Sequence, residues 1–470
     1  MKLVIVESPA KAQTINKYLG NNYKVVASIG HVRDLPRKDG AVEPEKEFQM
    51  SWDQPLDKKK VINGIIKDLK DAETLILATD PDREGEAISW HINEILNEKK
   101  ALKSKQVQRV VFNEITKSSV LNAMEHPRDI NSELVDAYLA RRALDHLIGF
   151  RISPILWRKL PGSRSAGRVQ SVALRLVCER ELEIEKFIIE EYWTISGIFE
   201  NLSGEKFSSR LIEFDKKKLK KFDIPNEAHS KKILDEIKKH NFYISNIEKK
   251  RVKRNPIPPF TTSTLQQEAS RKLGFSAYKT MRVAQKLYEG INLNKETSGL
   301  ITYMRTDGVQ ISQEAITNIR EFISNEYGKN FIPESPRYYK SKAANAQEAH
   351  EAIRPTNFTY SPKLISKYLD KDQLKLYDLI WKRTLSSQMA SAELDKTTVD
   401  IKSKDNSITF RTNGSQIAFP GFLKVYKESF DEKTTSSDND DDKLLPILNL
   451  NESLDLKKLE DEQHFTQPPA

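Results

Sequence analysis

Short apolar runs alternate with amphipathic stretches over about the first 125 residues. The apolar runs that have the length of buried strands are residues 3–6, 23–27, 74–79 and 107–112. Residues 58–70 and residues from about 84 to 96 repeat their apolar positions at helical spacing. Continuous apolar strands separated by helices are typical of a parallel sheet covered on both faces. We therefore predict an α/β domain with a parallel sheet at this end of the chain.

The pattern changes further along the chain. Residues 130–186 have a helical pattern that is broken near Pro154. Residues 192–199 alternate between polar and apolar side chains, as an antiparallel strand does, and residues 395–428 return to this strand-like texture. Residues 300–304 form a short apolar run that we interpret as another strand. The later part of the chain is thus predicted to mix helices with antiparallel strands.

Composition narrows the class of protein. The chain of 470 residues is too long for one compact domain. Its formal charge of +9 favours a polyanionic partner, although many proteins share such an excess. One cysteine, Cys178, excludes a disulfide framework and a cysteine zinc cluster, and its apolar neighbours predict a buried position. The acidic run at residues 431–443 is predicted to be a disordered loop.

The sequence predicts neither a secretory signal nor a membrane-spanning segment. The chain opens directly on an apolar strand and shows no secretory signal. No run approaches the roughly 18 apolar residues that span a bilayer. A cytoplasmic protein without a membrane contact is the expectation.

Acidic residues follow two of the predicted strands. Glu7 ends the first apolar run, and Asp80, Asp82 and Glu84 follow the third. Sites in parallel sheets form outside the carboxyl ends of the strands, so these carboxylates converge if the two strands are neighbours. Mg²⁺ would offset their repulsion, because hard cations take oxygen ligands. The alternative is a solvated acidic turn that caps the next helix. Lys11 would reach a phosphate or donate a proton, unless it is an ordinary exposed lysine.

Residues 141–175 hold most of the chain's excess positive charge. Eight basic residues stand against one acid, Asp145, and eight minus one gives +7. Such density on predicted helices and a Gly-Ser loop suits contact with a phosphate backbone. Trp157 would stack an unpaired base or, in the alternative, anchor a core. At residues 165–170 a loop enters a helix, where backbone N–H groups and Arg168 would face an anion.

Tyr303 has a neighbourhood that suits a nucleophile. A phenol with a free pKa of about 10 is a poor nucleophile at neutral pH and needs a nearby cation or base. Arg305 would project to the same face of the predicted strand as Tyr303 and could stabilise both the phenolate and a phosphate. In residues 347–355, His350 would donate to a phosphate oxygen or relay a proton. A zinc-protease motif fails there, because its second histidine is replaced by Arg354.

Taken in order, these motifs resemble those of bacterial type IA DNA topoisomerases, from the first residue to the last. The motifs that carry the resemblance are residues 6–12 and 80–86 (the acidic motifs of a Toprim domain), 30–36 (an early DNA-contacting loop), 140–145 and 165–170 (strand-binding helices), Tyr303 with Arg305 (nucleophile and partner) and 347–355 (a histidine motif). One departure is Gly308, where the family usually has serine; we expect a minor effect.

The resemblance implies an isomerase that cuts one DNA strand, passes the other strand through the gap and reseals it without ATP. Tyr303 would become joined to the 5′ phosphate, and single-stranded regions of negatively supercoiled DNA would be the partner. The implied catalytic residues are Tyr303, Arg305, Glu7, Lys11 and His350. The implied Mg²⁺ ligands are Glu7, Asp80, Asp82 and Glu84. The implied DNA-binding residues are His31, Arg141, Arg142, Asp145, Trp157, Ser165, Ala166, Gly167, Arg168, Val169, Gln170 and Arg305.

The family's fold is an α+β toroid of four domains. By resemblance, these are a Toprim domain at 1–129, a helical strand-binding domain at 130–186, a β-rich arch at 187–252 and 390–460, and a tyrosine domain at 253–389. Residues 461–470 would begin the return to the helical domain, and the rest of that return is expected to be missing at a C-terminal truncation. An inactive remnant that binds single-stranded DNA is therefore the alternative function. A Toprim nuclease or primase is disfavoured, because it needs no tyrosine nucleophile. We expect a nucleoid-associated monomer in the cytoplasm.

Overall fold

The computed structural model describes residues 1–294, 296–340, 351–428 and 444–470. The acidic run at 431–443 lies outside the described residues. The chain divides into two compact units, and several segments contribute to each. The first unit comprises Met1–Ala173, Ile257–Met389 and Val425–Ser429. The second unit comprises Leu174–Pro256, Ala390–Lys424 and Phe430–Ala470.

Strands occur in both units. In chain order they are β1 (Lys2–Val6), β2 (Tyr23–Ala27), β3 (Val42–Glu43), β4 (Gln49–Met50), β5 (Thr74–Leu77), β6 (Gln106–Arg109), β7 (Glu191–Glu200), β8 (Lys206–Phe214), β9 (Lys217–Lys218), β10 (Phe242–Arg254), β11 (Ile291–Asn292), β12 (Thr297–Ser298), β13 (Ala392–Ser403), β14 (Thr409–Phe419) and β15 (Ser453–Phe465).

Helices join these strands. In chain order they are α1 (Pro9–Leu19), α2 (Leu56–Leu69), α3 (Arg83–Glu98), α4 (Lys117–Glu125), α5 (Ser132–Leu147), α6 (Ser153–Lys159), α7 (Arg168–Lys186), α8 (Glu227–Ile237), α9 (Thr262–Leu273), α10 (Ala277–Glu289), α11 (Gln313–Tyr327), α12 (Pro362–Ile365) and α13 (Lys371–Ser387). A π-helical turn, Ile148–Ile152, links α5 to α6. Among the described helices, none is both long enough and apolar enough to cross a membrane.

The first unit is built on a parallel sheet in the order β2-β1-β5-β6. The predicted parallel α/β arrangement at the start of the chain is therefore confirmed. Its core side chains are almost all aliphatic: Leu3 and Ile5 on β1 pack with Leu75 and Leu77 on β5. Because β1 and β5 are neighbours, the residues that follow them emerge at the same carboxyl edge of the sheet.

The second unit contains an antiparallel sheet in the order β14-β13-β10-β15-β7-β8-β9. A further pairing of β14 with β8 closes the sheet on itself. Three buried aromatic rings, Phe199, Phe242 and Phe410, pack edge to face inside it, with centroids 5.2–5.6 Å apart. The strand-like texture predicted near 192–199 and 395–428 is confirmed, with β13 and β14 in the latter range followed by a short 3₁₀ helix at Gly421–Lys424.

Two local predictions are wrong. Residues 300–304 are buried, but they form only an isolated bridge from Ile301 to Pro355 instead of a strand. Their backbone bonds to several different segments, so no single partner strand is available. Cys178 is exposed, because no side chain of α7 is buried in this structure. Its apolar neighbours in sequence therefore do not make a core here.

Candidate active site

A buried lysine joins two carboxylates at the carboxyl edge of the parallel sheet. Glu7 follows β1, and Asp80 lies just beyond β5. The Lys11 side chain is 1% exposed, and its ammonium contacts Glu7 at 2.5 Å and also contacts Asp80. The Asp80 backbone N–H donates to the second Glu7 oxygen at 2.8 Å. Ser8 caps α1 by accepting from the Lys11 backbone at 3.3 Å, which fixes where this helix begins.

Burial and mutual charge separate the two carboxyl pKa values. Burial, followed by the negative charge of Glu7, raises the pKa of Asp80 to about 8. Burial alone would also raise the pKa of Glu7, but Lys11 and hydrogen bonds from Asp80 hold it below its ordinary value. The Lys11 pKa is raised by both carboxylates despite its burial. The two carboxyl groups around one ammonium therefore differ in how readily each gives up a proton.

Tyr303 contacts the later part of the acidic turn, the segment of residues 80–84 that follows β5. Its hydroxyl donates to Asp82 at 2.7 Å. The Arg305 guanidinium lies 3.5 Å from the same carboxylate and donates to Glu84 at 2.9 Å. Burial, followed by the charges of Asp80 and Asp82, raises the pKa of the Tyr303 phenol, while Arg305 lowers it. The phenol therefore stays protonated until positive charge offsets these carboxylates.

The segment that carries Tyr303 is fixed although it is not a strand. The Tyr303 N–H donates to the Asn113 carbonyl at 2.8 Å, and the Thr302 N–H donates to the Arg354 carbonyl at 2.9 Å. The ring of Tyr288, fully buried on α10, lies edge to face against Tyr303 with centroids 5.3 Å apart. It also lies under the Lys11 ammonium at 5.0 Å. Tyr288 was not predicted as a site residue, since nothing in its local sequence sets it apart.

The acidic turn is held by a second group that the sequence reasoning missed. Arg109, at the end of β6, is fully buried and donates to the backbone carbonyls of Thr79 at 2.9 Å and Asp80 at 2.7 Å. Its counter-charge is Glu86, at 3.0 Å. A Cβ at Gly85 would lie 2.2 Å from the Asp80 carbonyl oxygen, so only glycine fits. The available signal was a lone arginine inside an apolar run, which requires a buried partner.

The predicted strand-binding residues form a chain of ion pairs that reaches the site. Arg141 on α5 lies 3.6 Å from Glu84 and 4.0 Å from Asp145. Arg168, the first residue of α7, donates to Asp145 at 2.9 Å. Arg142 instead pairs with Asp34 at 2.6 Å. The structure thus brings Arg141, Asp145 and Arg168 beside the acidic turn.

The other members of that set lie around the same helices. Trp157 is 57% exposed, and its indole N–H donates to the Arg164 carbonyl at 2.5 Å, so it is not a core anchor. His31 stacks on Tyr138 with centroids 5.5 Å apart, and burial lowers its pKa. In the loop before α7, the backbone N–H groups of Ala166 and Gly167 donate hydrogen bonds to the hydroxyls of Ser153 and Ser171, at 3.0 and 3.2 Å. Ser165, Val169 and Gln170 are exposed beside them.

The histidine motif is described only in part. Residues 347–350, including His350, lie outside the described residues, so its role stays a prediction. Within the rest of the motif, Arg354 is buried and pairs with Glu351 at 2.6 Å and Glu114 at 3.1 Å.

The acidic turn offers a divalent cation suitable oxygen donors. Hard cations such as Mg²⁺ take carboxylate ligands, and Asp80, Asp82 and Glu84 all line one cavity of about 560 Å³ together with Tyr303. As placed, each of these carboxylates is engaged by Lys11, by Tyr303 or by an arginine. Over the part of the chain that the structure describes, no three such side chains converge on one point. The donor chemistry therefore fits, and binding requires the side chains to exchange partners.

Comparison with known proteins identifies the class. Residues 2–115 match the family described as Toprim domain, and residues 129–470 match the family described as DNA topoisomerase. The structure is similar to full-length topoisomerase I from Thermotoga maritima, with a TM-score of 0.81 and 38% identity, covering 100% of this chain and 73% of the other. The parallel sheet with its acidic edge is accordingly a Toprim domain.

Similar sequences fix the family. DNA topoisomerase 1 of Rickettsia felis is 55% identical over 470 residues, which is 100% of this chain and 60% of that protein. DNA topoisomerase 1 of Xylella fastidiosa is 50% identical over 471 residues, covering 99% of this chain and 57% of that protein. This chain belongs to the bacterial type IA DNA topoisomerase family, whose members are isomerases that change DNA topology. It spans about three fifths of the length of these relatives.

Proposed function

We propose that this chain cuts and rejoins one strand of DNA through Tyr303, and that it relaxes negatively supercoiled DNA without ATP. The observation that carries the proposal is the hydrogen bond from the Tyr303 hydroxyl to Asp82, made beside Arg305 in a cavity that Glu7 also lines. A phenol, a cation for a phosphate and proton-handling groups meet there, as a phosphoryl transfer to tyrosine requires.

Strand binding comes first in this mechanism. Single-stranded DNA lies along α5 and the first turn of α7, where Arg141, Arg142 and Arg168 exchange their carboxylate partners for phosphates. Trp157 offers an exposed aromatic face on which a base can stack. His31 lies at the edge of the cavity. The strand is thereby positioned with one phosphate near Tyr303.

Cleavage moves two protons and exchanges one ester bond for another. The Tyr303 oxygen forms a bond to phosphorus, and its proton passes to Asp82. The bond from phosphorus to the 3′ oxygen breaks, and that oxygen takes the proton handled there by Glu7 and its partner Lys11. Arg305 stabilises the charge on the phosphate, with His350 proposed to assist. Mg²⁺, held by Asp80 and Asp82 with Glu7 or Glu84, would offset the carboxylate charge at the phenol. Because one phosphoester replaces another, resealing needs no nucleotide.

Covalent capture tests the proposal. A single-stranded oligonucleotide labelled at its 3′ end is mixed with the chain and Mg²⁺ and then quenched with SDS. Label should migrate with the protein, and Tyr303→Phe should abolish this while leaving strand binding unchanged. Tyr360→Phe is the matched control, because Tyr360 bonds to Glu296 away from the acidic turn, and it should capture normally.

Each outcome is informative. Capture retained by Tyr303→Phe would exclude Tyr303 as the nucleophile. Strand binding with no capture by the unmodified chain would favour the alternative of a binding protein without cleavage. Relaxation of a negatively supercoiled plasmid by the same preparation, without ATP, tests the complete cycle.

A further inference from the structure

One wall of the site cavity is a helix face to which neither the sequence motifs nor the mechanism assigns a role. α10 contributes to the cavity five side chains that share one helix face: Tyr278, Met281, Arg282, Gln285 and Lys286. The opposite face of α10 is buried, including Ala284, Leu287 and Tyr288. The helix is therefore held with its orientation fixed, and the cavity-facing side chains are constrained to face the site.

This helix face differs in charge from the acidic residues that line the same cavity. No carboxylate stands among the five α10 residues in the lining, whereas Glu7, Asp80, Asp82 and Glu84 also line it. In the described portion of the chain, neither Arg282 nor Lys286 makes an ion pair or a side-chain hydrogen bond. By contrast, Lys11, Arg141 and Arg305 all carry carboxylate partners. Lys279, on the same helix but outside the cavity, pairs with Asp372 at 2.8 Å.

The two free cations lie about one helical turn apart on the same face of α10. Arg282 and Lys286 are four residues apart, which separates them by about 6 Å along the helix axis. Tyr278 lies one turn before Arg282 and is 76% exposed, with the Arg282 guanidinium 5.9 Å from its ring. An exposed aromatic ring beside unpaired cations is what single-stranded nucleic acid binds, through base stacking and backbone charge.

The position of α10 indicates which part of the strand it would hold. Tyr288, on the buried face of α10, packs against Tyr303 and also lies under the Lys11 ammonium, so this helix directly contacts the residue that stays joined to the strand. The arginines of α5 and α7 approach instead through Glu84 and Asp145. After cleavage, the phosphate attached to Tyr303 keeps the nucleotides that follow it in the 3′ direction.

We propose that the α10 face of Tyr278, Arg282 and Lys286 binds the segment of the DNA strand on the 3′ side of the cut, the segment that stays attached to Tyr303. This inference rests on the proposed function. It makes the cavity a two-sided clamp, with α5 and α7 holding the strand before the cut phosphate and α10 holding the strand after it.

The test compares two oligonucleotides. The cut position is first mapped by covalent capture with the unmodified chain. One probe then ends with a 3′ hydroxyl at the cut, and the other extends four nucleotides beyond it. Affinities are measured in Tyr303→Phe protein, so that no cleavage occurs, with and without Arg282→Gln and Lys286→Gln together. Lys279→Gln is the matched control, because Lys279 lies on the same helix and is paired outside the cavity.

The extended probe should bind more tightly than the short one, and the double variant should lose about tenfold of its affinity for the extended probe only. For the extended probe, the slope of log affinity against log salt should become shallower by about 1.4 in the double variant, since each phosphate contact in a single strand contributes about 0.7. Tyr278→Ala should cost the extended probe about fivefold or more. Lys279→Gln should leave both affinities within about twofold.

Three results would overturn the inference. If Tyr303→Phe protein with the α10 face intact binds both probes equally, α10 does not bind the segment beyond the cut. If the double variant loses the same affinity for both probes, α10 contacts the segment before the cut instead. In these two cases covalent capture still occurs and the proposed function stands. Absence of capture by the unmodified chain would instead refute the proposed function together with this inference.

Discussion

Removing one charge beneath the acidic turn should destabilise the first unit strongly. Glu86 is fully buried on α3, and its carboxylate accepts from Arg109 at 3.0 Å, from Arg128 at 2.9 Å and from the Asn131 backbone at 2.7 Å. Glu86→Gln keeps the shape of the side chain and some of these hydrogen bonds. It leaves the buried Arg109 guanidinium without a counter-charge.

The size of the effect follows from the burial of Arg109. Removing one partner of a buried ion pair costs about 3–5 kcal/mol, because the remaining charge stays desolvated. Arg109 also donates to four backbone carbonyls, those of Leu77, Thr79, Asp80 and Val110, at 2.6–3.1 Å, and these soften the loss. We therefore expect about 3 kcal/mol, which is a large share of the 5–15 kcal/mol that stabilises a typical protein.

Acid should reduce the difference in unfolding free energy between the unmodified chain and Glu86→Gln. Burial raises the pKa of Glu86, but Arg109 and Arg128 outweigh it and hold the pKa below the ordinary value of 4.5. A carboxyl whose pKa is depressed by folding adds stability above its unfolded pKa, and this stability is lost as pH falls through the folded value. The extra stability of the unmodified chain over Glu86→Gln should thus be fully present near pH 7 and should shrink below about pH 4.5.

Urea unfolding followed by hydrogen-exchange mass spectrometry on peptides from β5 and α3 measures this unit separately from the other. Asp68→Asn is the control, since Asp68 pairs with the half-exposed Lys24 at 2.7 Å and should change stability by less than about 0.5 kcal/mol. A loss below about 1 kcal/mol for Glu86→Gln, or the same loss at pH 3 and pH 7, would refute the role given to the buried pair.

Three further changes test other parts of the structure. Gly85→Ala should destabilise the first unit by about 2 kcal/mol or more, since its Cβ would meet the Asp80 backbone at 2.2 Å; the same unfolding assay would contradict this by showing no change. Lys11→Met should slow covalent capture at least about a hundredfold, because Glu7 and Asp80 lose their shared cation and the leaving oxygen loses its proton donor; a rate within about tenfold would count against that role. Cys178 should react with a maleimide in the native protein as fast as after unfolding, and protection in the native state would show that α7 is covered.

The sequence was sufficient to predict the acidic edge of the sheet. Two apolar runs end in acids, and the parallel arrangement of β1 and β5 places such ends together. The ion pairs of Lys11 are a different case: the sequence suggests a phosphate contact, a proton donor or an exposed lysine, and the structure instead pairs its buried ammonium with Glu7 and Asp80. The acidic edge depends only on local pattern and on a general rule of sheet topology, whereas the contact with Asp80 depends on how distant segments pack.

Long-range packing was not predictable in the same way. Residues 300–304 are apolar throughout, and such a run does not distinguish a strand from an irregular segment buried on all sides. Tyr303 bonds through its backbone to Asn113, almost two hundred residues away, which no local pattern specifies. The apolar residues around Cys178 predicted burial in the same way, but no side chain of α7 is buried.

The cations beside the acidic turn are committed to carboxylates, so the proposed DNA binding has to displace these partners. Lys11 holds Glu7 and Asp80, and Arg305 holds Asp82 and Glu84. A phosphate gains these cations only if the carboxylates find other positive charge, and a divalent metal is the group that such oxygens prefer. Metal and strand should therefore bind cooperatively, each making the other's site available. The free cations of α10 lie outside this exchange, which is why they would hold a strand whether or not metal is bound.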